Sequence, residues 1–305
     1  MPYPPSRTDR RWVNALLLAA TVATTTYTGA FHWIGFQADF RADFQTIDPQ
    51  ITLAALAGGL WYSLTILAIL GAHEMGHYLA CRYYGIAASL PYFLPVPFPL
   101  TGTAGAFIKI REPITTKRAL FDIGIAGPLA GFAVAVPALV IGLALSRVVT
   151  LPPDFSGVSM GEPLLFRAVS WIVFGTPPDT ASINMHPIGF AAWFGLLATA
   201  LNLIPIGQFD GGHIAYATLG RHAHKVTLAA VAGAIGLSVY SSSWIVWTLL
   251  AVGLLFAFGW KHPAVWDETE PLDRTRRWMA LAALVILVLC FTPAPIEPMD
   301  LLQPK

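Results

Sequence analysis

Residues 51–77 read ITLAALAGGLWYSLTILAILGAHEMGH. From Ile51 to Ala72 no Asp, Glu, Lys, Arg or His interrupts the run, and then His73, Glu74 and His77 arrive within five positions. About 20 apolar residues suffice to cross the hydrocarbon layer of a membrane, so the stretch has the length of a span. Ionisable groups at such depth cost at least about 2.5 kcal/mol each unless they are paired or used. The pattern therefore reads as a membrane helix with chemistry at one end.

The rest of the chain repeats the apolar half of that pattern. Gaps free of Asp, Glu, Lys and Arg cover residues 12–38, 49–72, 123–146, 180–209, 226–260 and 278–296. Only 11% of the 305 residues are charged, against about a quarter in a soluble domain. The 226–260 gap would make a helix of about 52 Å, too long for a layer of about 30 Å, and Ser241-Ser242-Ser243 is where it divides. The reading is an all-α integral membrane protein, a polytopic helical bundle of about seven spans, with the first span retained rather than cleaved.

Basic residues set orientation, because Lys and Arg stay on the cytoplasmic side. With the N-terminus inside, 14 of the 18 basic residues fall on inner segments, and Arg41, Arg147, Arg167 and Lys305 fall outside. Keeping 226–260 as one span lowers the inner count to 11, which favours seven. A formal net charge of +1 and the lack of a Lys/Arg block argue against nucleic acid as a partner. Cys81 and Cys290 lie far apart in apolar stretches, so neither a disulfide framework nor a thiolate metal cluster is expected.

One charge-free stretch differs. Pro91, Pro95, Pro97 and Pro99 precede Gly102, Gly105 and the β-leaning run Ala106-Phe107-Ile108-Lys109-Ile110. Prolines so placed forbid a regular helix. Either a re-entrant hairpin between spans two and three or a proline-rich loop on the cytoplasmic membrane surface accounts for it.

On a helix, His73 and His77 share a face and can present imidazole nitrogens to one metal, while Glu74 sits one position round and can reach a water there. A hydrolytic zinc takes three protein ligands and leaves one position open. Asp210 is the best third ligand: it follows the 180–209 gap, beside Pro205 and Gly211-Gly212, and positive-inside orientation brings it to the same side as His77. An Asp-Gly turn at a helix end is the plainer account of that residue.

The pentad and the segment Asn202-Leu203-Ile204-Pro205-Ile206-Gly207-Gln208-Phe209-Asp210-Gly211 together resemble the site-2 proteases, intramembrane zinc metalloproteases that cut transmembrane substrates. Residues 126–131 look like the small-residue segment of that family's central helix, and residues 102–110 like its re-entrant hairpin. The resemblance covers about 51–212. It implies one zinc per chain held by His73, His77 and Asp210, with Glu74 as catalytic acid/base and Asn202 near the substrate backbone. A strand edge at Phe107 and Ile108 is then expected to hold an unwound substrate. The implied partners are a membrane-anchored protein with a transmembrane helix and the lipid bilayer.

Residues 1–305 are accordingly expected to form one membrane-embedded protease domain without PDZ or CBS modules, in a bacterial cell membrane, with the N-terminus and active site toward the cytoplasm. The main reading from another class is a non-enzymatic metal transporter or sensor, for which His186, His213, His222 and His224 would extend a pathway. Aspartyl chemistry through Asp122 and Asp210 would leave the pentad without a role. Small residues in 127–131 read as helix packing.

Overall fold

The computed structural model describes residues 10–40, 51–97, 100–152, 156–178, 180–258, 265, 267 and 271–300. In chain order these form α1 (Arg11–Ala38), α2 (Leu53–Tyr83), β1 (Tyr92–Pro95), β2 (Thr103–Phe107), α3 (Lys117–Ala144), β3 (Arg147–Thr150), β4 (Ser156–Met160), α4 (Leu164–Phe174), β5 (Ala181–Asn184), α5 (Pro187–Leu203), α6 (Asp210–Leu219), a 3-10 turn (Gly220–His222), α7 (Ala223–Tyr240), α8 (Trp244–Phe258), α9 (Arg274–Cys290) and β6 (Ile296–Asp300). Each charge-free gap holds a helix, and the last long gap breaks at the three serines.

Caps start the two longest core helices. Thr52 Oγ1 accepts from the Ala55 N–H at 3.1 Å and Thr116 Oγ1 from the Ala119 N–H at 3.2 Å, which satisfies donors that a helix start leaves bare. Among the described residues three stretches are long and apolar enough to cross a membrane: α2, α3 and the run Asp210–Tyr240. The α5 and α9 helices have 17 residues each, about 25 Å at 1.5 Å per residue. The chain is predominantly helical rather than all-α, because the described residues outside the helices include six short strands in three two-stranded antiparallel sheets, β1–β2, β3–β5 and β4–β6.

Helices approach closely where side chains are missing. A Cβ on Gly59 would strike the Thr26 carbonyl of α1, and one on Gly142 would meet Gly189 of α5 at 2.5 Å from its Cα. At the α1–α2 crossing the buried hydroxyls of Thr25 and Ser63 pair with each other at 2.7 Å. The main core lies between α2, α3 and α5, where Ile69, Phe121, Ile125, Leu139, Trp193 and Leu196 are fully buried.

The proline-rich segment is a hairpin lying along α1. Strand β2 ends at Phe107, earlier than the β-leaning run suggests, although the pairing continues irregularly. The Ser89 N–H donates to the Lys109 carbonyl and the Arg111 N–H to that of Ala87. At its base Asn14 Nδ2 donates to the Leu90 and Pro91 carbonyls. At its tip His32 Nε2 donates to the Leu100 carbonyl at 3.0 Å and the Tyr62 hydroxyl to that of Thr101 at 3.0 Å. Gly102, at φ +68°, sits against Thr24 and Thr25 of α1.

Gly59→Leu should force α1 from α2 and loosen the hairpin tip. We expect a loss of about 2 kcal/mol or more, read as a lower unfolding midpoint together with faster proteolysis near Gly102.

Candidate active site

In the last third of α2, His73 and His77 project from one face and are 6% and 7% exposed. Across from them, Pro205 and Gly207 (φ +50°) end α5 and turn the chain so that Asp210 opens α6. The glycines after Asp210 make that turn possible: a Cβ on Gly211 would strike the Leu203 carbonyl, and one on Gly212 the Gly207 carbonyl. Asp210 is thereby brought to both histidines. Its Oδ2 lies 3.2 Å from His73 Nε2 and its Oδ1 3.3 Å from His77 Nε2, and the two imidazole nitrogens are 3.1 Å apart.

Three Lewis-basic atoms turned on one point are what a cation site requires. Ligands about 2.0–2.1 Å from a tetrahedral zinc stand about 3.3–3.4 Å from one another; each imidazole nitrogen lies near that distance from one of the two Asp210 oxygens, and one atom from each residue falls within 4.8 Å of the others. Among the described residues this is the one group of at least three His, Cys, Asp or Glu side chains so arranged. The tautomer of His77 also fits. Its Nδ1 donates to the Ile123 carbonyl of α3 at 2.7 Å, which leaves Nε2 with a bare lone pair facing the centre.

Glu74 is 7% exposed, with Oε1 4.0 Å from His73 Nε2. It stands beside the cluster, within reach of a water there. The Ile108 backbone N–H bonds to the same carboxylate. Asn202 Nδ2 lies 3.4 Å from His73 Nε2. Phe107 is 46% exposed at the end of β2, its ring stacked on Tyr92, whereas Ile108 packs against Cys81, Ala119 and Ile123.

A cavity of about 260 Å³ encloses the cluster, and a larger apolar one of about 480 Å³ shares Glu74, Ala106, Asn202 and Phe209 with it. The larger one reaches Thr103 and Ala104 of β2 on one side and Trp244 and Trp247 of α8 on the other.

Sequence reasoning missed the opposite wall. A Cβ on Gly127 would fall on the His77 imidazole, one on Gly131 would stand 3.2 Å from His73 Cβ, and one on Gly76 would strike the Ala126 carbonyl. Gly127 and Gly131 are packing residues, as read, but what they pack against is the His77 and His73 side chains. No sequence signal separates them from any other small-residue stripe, and the Ile123 carbonyl carries none at all. Gln208 and His213 also line the smaller cavity. Asp122 takes no part in the cluster: it receives Arg276 Nε at 2.8 Å. His186 caps α5, its Nδ1 accepting from the Ile188 N–H at 3.3 Å.

Residues 61–242 match the model of peptidase family M50, the family of the site-2 proteases. The chain belongs to that family. Similar proteins include probable zinc metalloprotease EGY2, chloroplastic, of Oryza sativa subsp. indica, 30% identical over 252 residues, which cover 82% of this chain and 46% of that one. The Arabidopsis thaliana proteins of the same kind, EGY2 and EGY1, are 34% and 30% identical over 244 and 265 residues. These cover 77% and 81% of this chain and 42% and 45% of theirs. The chain thus spans a little under half the length of these relatives. With three long apolar helices among its described residues, this M50 member is a membrane protein.

Gly127→Val would push the His77 ring out of the cluster. Such a variant should fold yet lose bound metal, which elemental analysis of the purified protein reads directly.

Proposed function

We propose that the chain is an intramembrane zinc metalloprotease, a metalloendopeptidase that hydrolyses peptide bonds in or near transmembrane segments of membrane-anchored proteins. The observation that carries this reading is the triangle of His73, His77 and Asp210 with Glu74 beside it, in a member of peptidase family M50. The zinc-metalloprotease names of its relatives support the choice of metal.

His73 Nε2, His77 Nε2 and an Asp210 oxygen would hold the zinc. When bound, zinc supplies the Lewis acid that makes water nucleophilic near neutral pH and polarises a peptide carbonyl. Glu74 takes the proton of that water on a carboxylate oxygen and passes it to the leaving amine. The Asn202 side-chain amide, beside His73 and lining both cavities, orients the scissile segment by hydrogen bonding. Among the described residues β2 pairs only with β1, and Thr103 to Ala106 line the larger cavity. An extended substrate added to that edge, reaching Phe107 and Ile108, would run toward Glu74.

Seven spans follow if α1, α2, α3, α5, α7, α8 and α9 all cross. The β1–β2 hairpin is then re-entrant: its anchors Asn14 and His32 stand 18 residues apart on α1, about 27 Å of helix. The distribution of basic residues supports an N-terminus and active site facing the cytoplasm. Residues 51–212 act as one catalytic unit. A metal pathway would need donors along a route, whereas the described ligand groups form one cluster beside one carboxylate.

Glu74→Gln should retain one zinc per chain and lower cleavage of a membrane-anchored substrate by about 10²-fold or more. His73→Ala, His77→Ala and Asp210→Ala should each lose the metal. Unchanged proteolysis in Glu74→Gln would refute the hydrolase reading.

Proline tests the strand edge separately, since adjacent residues direct their N–H groups to opposite sides. Whichever of Ala106→Pro and Phe107→Pro removes the outward donor should raise KM for the membrane substrate and leave zinc content unchanged.

A further inference from the structure

The α9 helix lies beyond the residues that match the family model, and nothing in the chemistry above uses it. Its first turn nonetheless reaches the metal-facing helices. Arg276 binds the Asp122 carboxylate with both arms of its guanidinium, Nε to Oδ1 at 2.8 Å and Nη2 to Oδ2 at 2.5 Å. The Tyr84 hydroxyl donates to the same Oδ2, and Arg276 Nη2 lies 3.2 Å from that hydroxyl. Asp273 caps α9 through the Arg276 N–H at 3.0 Å and also takes Nη1 of the guanidinium, which holds the side chain in its fork geometry. About a fifth of each partner in the Arg276–Asp122 pair remains exposed, so the bond is partly shielded from water and directional.

Tyr84 is the C-terminal cap of α2, the helix that carries both histidines. Asp122 immediately precedes Ile123, whose carbonyl holds His77 Nδ1. That turn of α3 is weakened from within, because Pro128 lacks the N–H that would bond to the Gly124 carbonyl. One guanidinium thus fixes the end of α2 against the turn of α3 on which the His77 tautomer depends.

We propose that Arg276 is a positioning residue for the metal centre: by clamping Asp122 to Tyr84 it holds the Ile123 carbonyl against His77 Nδ1 and keeps His77 Nε2 aimed at the ion. The proposal rests on the zinc reading above and adds to it a restraint supplied from outside the matched region. Partners that orient a ligating histidine are worth about 10–100-fold in metal affinity, and Arg276 acts one bond further out, so its loss should lie near the lower end.

The test uses the full chain in detergent, loaded with cobalt or zinc and competed with a soluble chelator. Arg276→Ala should release metal about tenfold more readily and shift the visible bands of the cobalt form. It should lower kcat on a membrane-anchored substrate with KM unchanged. Tyr84→Phe removes a single hydroxyl and should fold in any case, with a smaller shift in the same direction. Arg277→Ala takes the same charge from the neighbouring exposed position and should match the parent protein. Folded Arg276→Ala and Tyr84→Phe proteins with parental metal retention and spectrum would overturn the proposal, as would an equal loss in Arg277→Ala. A parent chain that holds neither cobalt nor zinc would instead refute the zinc reading itself, so the two failures are distinguishable.

Discussion

The contact on which the rest depends is that of the His77 imidazole with the space left by the missing side chain of Gly127. It sets how closely α2 and α3 can lie, and so whether a side-chain nitrogen can meet a backbone carbonyl across the two helices. The Asp-Gly-Gly turn follows the same logic. Removing two Cβ atoms allows the start of α6 to fold back on the end of α5 and brings its carboxylate to the histidines. In both places backbone proximity is the means and side-chain convergence the result.

Polar groups away from the centre obey a second constraint. In an apolar surrounding a backbone or hydroxyl group without a partner is expensive, and the bundle supplies partners across its crossings. Arg147 and Asn184 both donate to the Phe36 carbonyl at 2.7 Å, where the end of α1 would otherwise leave it bare. Threonines 21, 24 and 25 return their hydroxyls to carbonyls of their own helix. Polar side chains on the buried face of α1 are thus accommodated.

Much of the helical framework was legible because charge spacing alone marks where apolar helices run, and the break at Ser241-Ser242-Ser243 falls between α7 and α8 as read. The cluster was legible because His73 and His77 are a helical turn apart and Asp210 follows a chain-breaking Pro205. Less visible were features carried by the backbone or by what is missing. Strand β2 stops at Phe107, since Ile108 turns its N–H to Glu74, a choice that propensity does not encode. Strands β3 to β6 escaped notice because each is four or five residues long and gains its pairing from a distant segment. Asp122, considered for chemistry on its position near a helix end, is occupied by an arginine 154 residues away.

The attachment of the hairpin to α1 has a directional consequence. Hydrogen bonds from Asn14 and His32 of α1 and from Tyr62 of α2 tie the hairpin down at its base and its tip. The larger cavity is bounded on its other flank by α7 and α8, which bring Ala234, Trp244 and Trp247 to it and bond to β2 nowhere in the described structure. The outer edge of β2, residues of α7 and α8, and the His73 and Glu74 side chains therefore share one cavity lining. An extended segment laid along that edge would have a carboxylate and an imidazole in the same enclosure.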